Sequence, residues 1–191
     1  MLFNNFSDLQ IILVSLPFLW VHRAEPRVQH LFASLLYSFS LLVLMKGCFR
    51  IPYPQRPDTF SFPSGHCWMI LSTSYFVFKA LLVEKKQYLF WTSFFVLGEV
   101  GICLCLGYHT WWDCLWGIIF STLFLFPIDF MSKKISNFKL NSLISILFAI
   151  VIYFIVLRLA PAYAVKSFSI MTYYFSFIIL TFFVSKIHCK K

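Results

Sequence analysis

Residues 62–113 read FPSGHCWMILSTSYFVFKALLVEKKQYLFWTSFFVLGEVGICLCLGYHTWWD. Two apolar runs, 64–83 and 88–106, flank the polar turn Glu84-Lys85-Lys86-Gln87. Each run has about 20 residues, which is what a bilayer core of roughly 30 Å asks of a helix rising 1.5 Å per residue. The chain leaving His66 therefore crosses the membrane, turns, and returns to the same face at His109. Phe62 to His66 reads as the turn that opens the first of these helices. Ser64, Gly65 and His66 then present a hydroxyl, backbone N–H groups and an imidazole to one spot. A helix N-terminus accepts anions, glycine lets a ligand approach the backbone, and a histidine beside an anion can move a proton near neutral pH. That combination points to phosphate chemistry.

The composition agrees with a membrane setting. Of 191 residues, 60% are hydrophobic, 21% aromatic and only 12% charged, with a mean hydropathy of +0.81. Apolar runs recur along nearly the whole chain, which excludes a soluble domain. Leu9 to Val21 is a short first run, either a span or a helix lying in the interface. No basic residue precedes it, which argues against a cleaved signal peptide. A second run covers Val28 to Met45. Lys46 to Phe62 holds Pro52, Pro54 and Pro57 and reads as a loop, because that much proline precludes a regular helix. A fifth span runs from Cys114 to Ile128, followed by a basic loop, Asp129 to Lys139. Leu140 to Leu157 and Ser167 to Ser185 are two more runs. The expectation is an all-α, polytopic transmembrane helix bundle of six to seven membrane helices. Residues 1–191 form a single membrane domain, with an active-site core at about 46–117.

Charge gives the orientation. Arg23, Arg27, Lys85, Lys86, Lys133, Lys134, Lys139, Lys186, Lys190 and Lys191 fall on the side opposite the histidines, ten in all. Lys46, Arg50, Arg56, Arg158 and Lys166, five, fall on the histidine side. Under the positive-inside rule the ten-charge side is cytoplasmic and the histidines face a periplasm or exterior. The reading is an integral multi-pass protein of a bacterial inner (plasma) membrane. The net charge of +9 suits anionic lipid headgroups. Nucleic acid is a poor partner, since the basic residues lie between spans.

Arg56-Pro57, then Pro63-Ser64-Gly65-His66, then His109-Thr110-Trp111-Trp112-Asp113 resembles the three-part signature of the type 2 phosphatidic acid phosphatase superfamily, the membrane lipid phosphate phosphatases. The family pattern is Lys-x6-Arg-Pro, Pro-Ser-Gly-His and Ser-Arg-x5-His-x3-Asp. The resemblance covers about residues 46–117. It implies His109 as the nucleophile that forms a phosphohistidine, Asp113 as the group that orients it, and His66 as general acid. It implies Ser64, Gly65 and Arg56 as phosphate ligands, with no metal and no cofactor. The residue types fit those roles: a carboxylate one helical turn from an imidazole can fix its tautomer. Phosphoryl transfer asks chiefly for positioning and positive charge.

Two positions depart from the pattern. Phe49 stands where the family has lysine, with Arg50 and Lys46 nearby but out of register, and Cys103 stands where it has arginine. Substitution from elsewhere is the favoured reading, by Arg50 first, with Lys46, Arg158 and Lys166 as further candidates. Cys103→Arg is accordingly expected to leave activity intact or raise it.

Three functions remain open: a phosphatase for a phosphorylated or pyrophosphorylated membrane lipid, a phosphotransferase on the same scheme, and a non-catalytic lipid-phosphate binder. Undecaprenyl pyrophosphate, phosphatidylglycerol phosphate, phosphatidate and lipid A all fit the site. A metal held by His66, His109 and Asp113 is disfavoured, because Ser64-Gly65 and Arg56 suit an anion. Glu99 lies mid-span on the helical face of Cys103 and either borders the site or hydrogen-bonds between helices. Trp111 and Trp112 read as interfacial belt residues. The six cysteines, at 48, 67, 103, 105, 114 and 189, have no CxxC spacing and read as small buried residues in helices.

Overall fold

The computed structural model describes residues 30–53, 56–82, 84–135, 137–165 and 167, and for 32, 53 and 56–59 the backbone only. The expected first run, Leu9 to Val21, and the last, from 168 onward, lie outside these residues. Five helices and one hairpin make up most of the rest. In chain order they are α1 (Leu31–Phe49), β1 (Pro52–Tyr53), β2 (Arg56–Phe60), α2 (Gly65–Leu81), α3 (Lys85–Cys105), α4 (Trp111–Lys134) and α5 (Phe138–Leu159). A short further helical segment covers 161–165.

Polar residues set the helix boundaries. Ser64 caps α2 by accepting from the Cys67 N–H at 3.3 Å, and Asn137 caps α5 by accepting from Lys139 and Leu140. At the start of α4, Thr110 and Asp113 form a reciprocal capping box. The Asp113 N–H donates to Thr110 Oγ1 at 3.2 Å, and the Thr110 N–H donates to Asp113 Oδ2 at 3.0 Å.

Besides starts three residues early in α3 and α4, two ends differ from the sequence reading. Helix α1 continues beyond Met45 through Phe49 and stops at Arg50, whose φ of 53° turns the chain into β1. Helix α4 runs past Ile128 to Lys134, so Asp129 is helical and pairs with both Lys79 of α2 and Lys133. The stretch after α1 is an antiparallel ribbon rather than an irregular loop, with Pro52 opposite Phe60 and Tyr53 opposite Arg56. Proline is tolerated there because a two-stranded ribbon has open edges.

Helix α2 is the centre of the bundle. It packs against α1, α3 and α4, and α5 covers the outer side of α1. Ten of its 17 residues are buried, Trp68 completely. Its contacts include a ladder of hydroxyls. Ser38 bonds Ser72 at 2.6 Å, Ser72 bonds Ser121 at 3.0 Å, and the Trp68 indole N–H donates to Ser38 at 2.9 Å. Small polar residues of this kind let helices approach closely and hydrogen-bond across their seam within a membrane.

The outer surface is the reverse. Leu97 is 71% exposed, Phe126 67% and Phe130 65%, an exterior suited to lipid tails. Helices α3, α4 and α5 are each long and apolar enough to cross a membrane, and Ala33–Phe49 of α1 is a shorter apolar helix. The chain is therefore an integral membrane protein built on a helical bundle. The expected third span, Ser64 to Val83, is α2, shorter at 17 residues and enclosed by its neighbours.

Candidate active site

Helices α2 and α3 form an antiparallel pair, so the start of α2 and the end of α3 lie together, and the 106–110 turn carries the chain into α4. Two backbone contacts hold this end in register. The Ser64 N–H donates to the Asp113 carbonyl at 3.0 Å, joining the Pro-Ser-Gly-His turn to the first turn of α4. At Gly117, a Cβ would lie 2.8 Å from the Ser64 carbonyl oxygen, so only glycine permits the approach of α4 to this turn.

The two histidines, 43 residues apart, meet at this point: His66 Nδ1 lies 3.3 Å from His109 Nε2, with the rings inclined at 67°. The Tyr108 ring lies nearly parallel to His66 at a centroid distance of 6.3 Å. The other nitrogen of His109, Nδ1, faces Asp113 Oδ2 at 3.9 Å. That is longer than a hydrogen bond, and the same oxygen accepts the Thr110 N–H. Asp113 thus holds the start of α4 and stands behind His109. His109 is buried, and the loss of solvation pushes its pKa down to about 3, helped by the nearby charges of Lys46 and His66. The ring is neutral at physiological pH, with a lone pair for nucleophilic work.

The cations divide. Lys46 is buried at the last turn of α1, and its ammonium donates to the Phe60 carbonyl at 2.7 Å. Its side chain lies against Gly65: a Cβ on that glycine would sit 3.4 Å from Lys46 Cε and 3.6 Å from Nζ. The ammonium is therefore at the N-terminus of α2, beside the backbone of the Ser-Gly-His turn. Arg50 is exposed, and its Nε donates back to the Gly47 carbonyl at 3.1 Å. The cation that the structure sets beside the Ser-Gly-His turn is thus Lys46, with Arg50 turned onto its own helix. Arg56 lies in β2; its side chain is outside the described residues. Ser64 is buried with its oxygen committed to the cap.

Cys103 is 1% exposed and packs with Cys67 and Cys114, and its thiol points at Glu99 Oε1, 3.8 Å away. Glu99 itself is buried and bonded within its own helix. Cys48 and Cys105 are exposed, against the expectation that the cysteines are uniformly buried. Trp111 and Trp112 stack on each other at 3.8 Å and are each 53% exposed, in keeping with an interfacial place.

Sequence reasoning missed the part played by Gly117. Its signal is a small residue one helical turn after Asp113 within an otherwise bulky run.

Comparison with known proteins gives one result. The family model of the PAP2 superfamily matches residues 16–133, a range that contains the hairpin, both histidines and Asp113. No curated protein and no solved structure matches the chain. Because the match extends over more than half of the sequence and takes in both histidine motifs, the chain belongs to the PAP2 superfamily.

Proposed function

We propose that this protein is a membrane-embedded phosphatase for lipid phosphates or pyrophosphates, working through a phosphohistidine and facing the periplasm or exterior. The observation that carries the reading is the 3.3 Å contact between His66 Nδ1 and His109 Nε2 beside the Lys46 ammonium. In the first step the Nε2 lone pair of His109 attacks phosphorus. The bond from phosphorus to the lipid oxygen breaks, and that oxygen takes a proton from His66. Water then attacks the phosphohistidine and gives its proton to His66, releasing inorganic phosphate and restoring both rings. Asp113 steadies the His109 ring from the Nδ1 side, and closure of the 3.9 Å gap on substrate binding would form the Nδ1–H to carboxylate hydrogen bond that fixes the tautomer. Lys46, Arg56 and the Gly65 and His66 N–H groups hold the phosphate oxygens, Ser64 shapes the turn that presents them, and Arg50 lies at the surface nearby. Charge-assisted bonds to an oxyanion are the strong ones in such a site.

A phosphotransferase on the same scheme, passing the phosphoryl group to a second lipid, is the alternative, and the burial of Cys103 at the family's arginine position keeps a non-catalytic lipid-phosphate binder as the third reading. The test is phosphate release from a panel of lipid phosphates in mixed micelles. Free phosphate supports the phosphatase, and phosphate on a second lipid supports the transferase. Activity that survives in His109→Ala would overturn both and leave a lipid-phosphate binder.

A further inference from the structure

The three buried thiols lie immediately inside the histidine pair. Cys67 follows His66 on α2, Cys114 follows Asp113 on α4, and Cys103 comes from the last turn of α3. Their sulfur atoms all lie within 4.8 Å of one another, and each residue is at most 1% exposed. We propose that Cys67, Cys103 and Cys114 form a tris-thiolate site for a thiophilic d10 cation, copper(I) or zinc(II), with the Glu99 carboxylate at hand as a fourth ligand.

Geometry supports the assignment. Metal–sulfur bonds of about 2.3 Å set three sulfurs roughly 4 Å apart, so the cluster needs only a small contraction to close on an ion. Glu99 Oε1 is 3.8 Å from the Cys103 sulfur and buried on the same side. Sulfur donors select soft cations over the magnesium or calcium that an oxygen-lined site would take. Cys67 and Cys114 sit in the first turns of α2 and α4, where helix dipoles favour negative charge. On binding, each thiol gives up its proton to solvent and its sulfur donates a lone pair to the cation, so no oxidant or reductant is needed.

The site would also brace the fold where it is least enclosed. Among the residues of α3, only Thr92, Val96, Glu99 and Cys103 are buried, and an ion at the cluster ties that helix to α2 and α4. The inference does not depend on the proposed phosphatase reaction.

The probe is Cd2+, present during expression and again during titration of the detergent-solubilised full chain. The expected result is one ion per chain, an ultraviolet thiolate-to-cadmium charge-transfer band, and a raised thermal midpoint. The band should persist in Cys48→Ser/Cys105→Ser/Cys189→Ser and fall at least severalfold in Cys103→Ser and Cys114→Ser. It should also vanish on addition of excess copper(I). Should the serine variants fail to fold, timed alkylation of the wild type in mild denaturant decides: Cd2+ should slow labelling of Cys67, Cys103 and Cys114 at least severalfold relative to the metal-free protein and leave that of Cys48 and Cys105 unchanged. No band in the wild type, loss of the band in the triple variant of the other cysteines, retention of Cd2+ against copper(I), or labelling of Cys67, Cys103 and Cys114 at the same rate with and without Cd2+ would each overturn the proposal.

Discussion

Gly117→Ala is the smallest change that should separate the two histidine motifs. An added Cβ would meet the Ser64 carbonyl oxygen at 2.8 Å, whereas ordinary contact begins near 3.4 Å, so the two segments must part by about 0.6 Å. The obstacle is a backbone atom of the fully buried Ser64, which cannot rotate aside as a side-chain tip would. Alanine gains up to about 1 kcal/mol of helix propensity over glycine, but overpacking of a tight contact costs about 1–3 kcal/mol. The net effect should be a modest loss of stability. The effect on turnover should be larger. The same displacement stretches the 3.0 Å Ser64–Asp113 bond and shifts His66 relative to His109. Since a misplacement of about 1 Å can cost on the order of 100-fold in rate, a 10- to 100-fold loss of kcat is expected. The assay is lipid phosphate turnover in mixed micelles, with the thermal midpoint measured in parallel. Gly98→Ala is the control, because nothing lies within 4 Å of a Cβ there, and it should be neutral or slightly stabilising. A Gly117→Ala protein with wild-type kcat and midpoint would refute the reasoning that this glycine sets the approach of the motifs.

Other substitutions test the remaining roles. His109→Ala should reduce phosphate release to background, and His66→Ala should lower kcat on the order of 100- to 10,000-fold, as judged with a substrate whose leaving group needs a proton. Lys46→Gln should cost on the order of 100- to 1000-fold in kcat/KM, and Arg50→Gln much less; the reverse order would put the phosphate beside Arg50. The pH dependence follows from His109. Its ring stays neutral until about pH 3, so protonation of the nucleophile should not produce an acid limb near pH 6.5 in the kcat/KM profile. The same shift has a consequence for stability. The unfolded chain binds the His109 proton more tightly than the folded one, so this group's contribution is complete above about pH 6.5 and declines as the pH falls towards 3. Denaturation midpoints at stepped pH, compared between wild type and His109→Gln, would reveal it as a smaller acid-induced decrease in the variant.

Much of this arrangement was legible before any coordinates. Two apolar runs of membrane-spanning length between His66 and His109 place both at one end of a helical pair. The Phe62 to His66 turn marks the start of α2, whereas α4 starts at Trp111, three residues before the Cys114 read from the sequence. Lys46 was harder to read. Counting from Arg56-Pro57 points to residues 49 and 50, but α1 keeps its helical register through Phe49, and Lys46, one turn earlier, is the residue it directs at Gly65. The ribbon at 52–60 was hidden because proline argues against a helix without arguing for a loop. The cysteine cluster has no local signature, since each thiol comes from a different helix and only tertiary packing brings them together. Gly117 shows in the sequence only as a small residue in a bulky run, because its partner is a carbonyl 53 residues earlier in the chain.

Orthovanadate, which mimics phosphorus at its most crowded, offers the most direct measurement. A structure of the protein with vanadate bound should show the two rings parted from their 3.3 Å contact, with vanadium in bonding distance of His109 Nε2, its oxygens on the Lys46 ammonium and the Gly65 N–H, and His66 as donor to the apical oxygen. Vanadate bound away from His109, or the two imidazoles turned from a common oxyanion, would contradict the account.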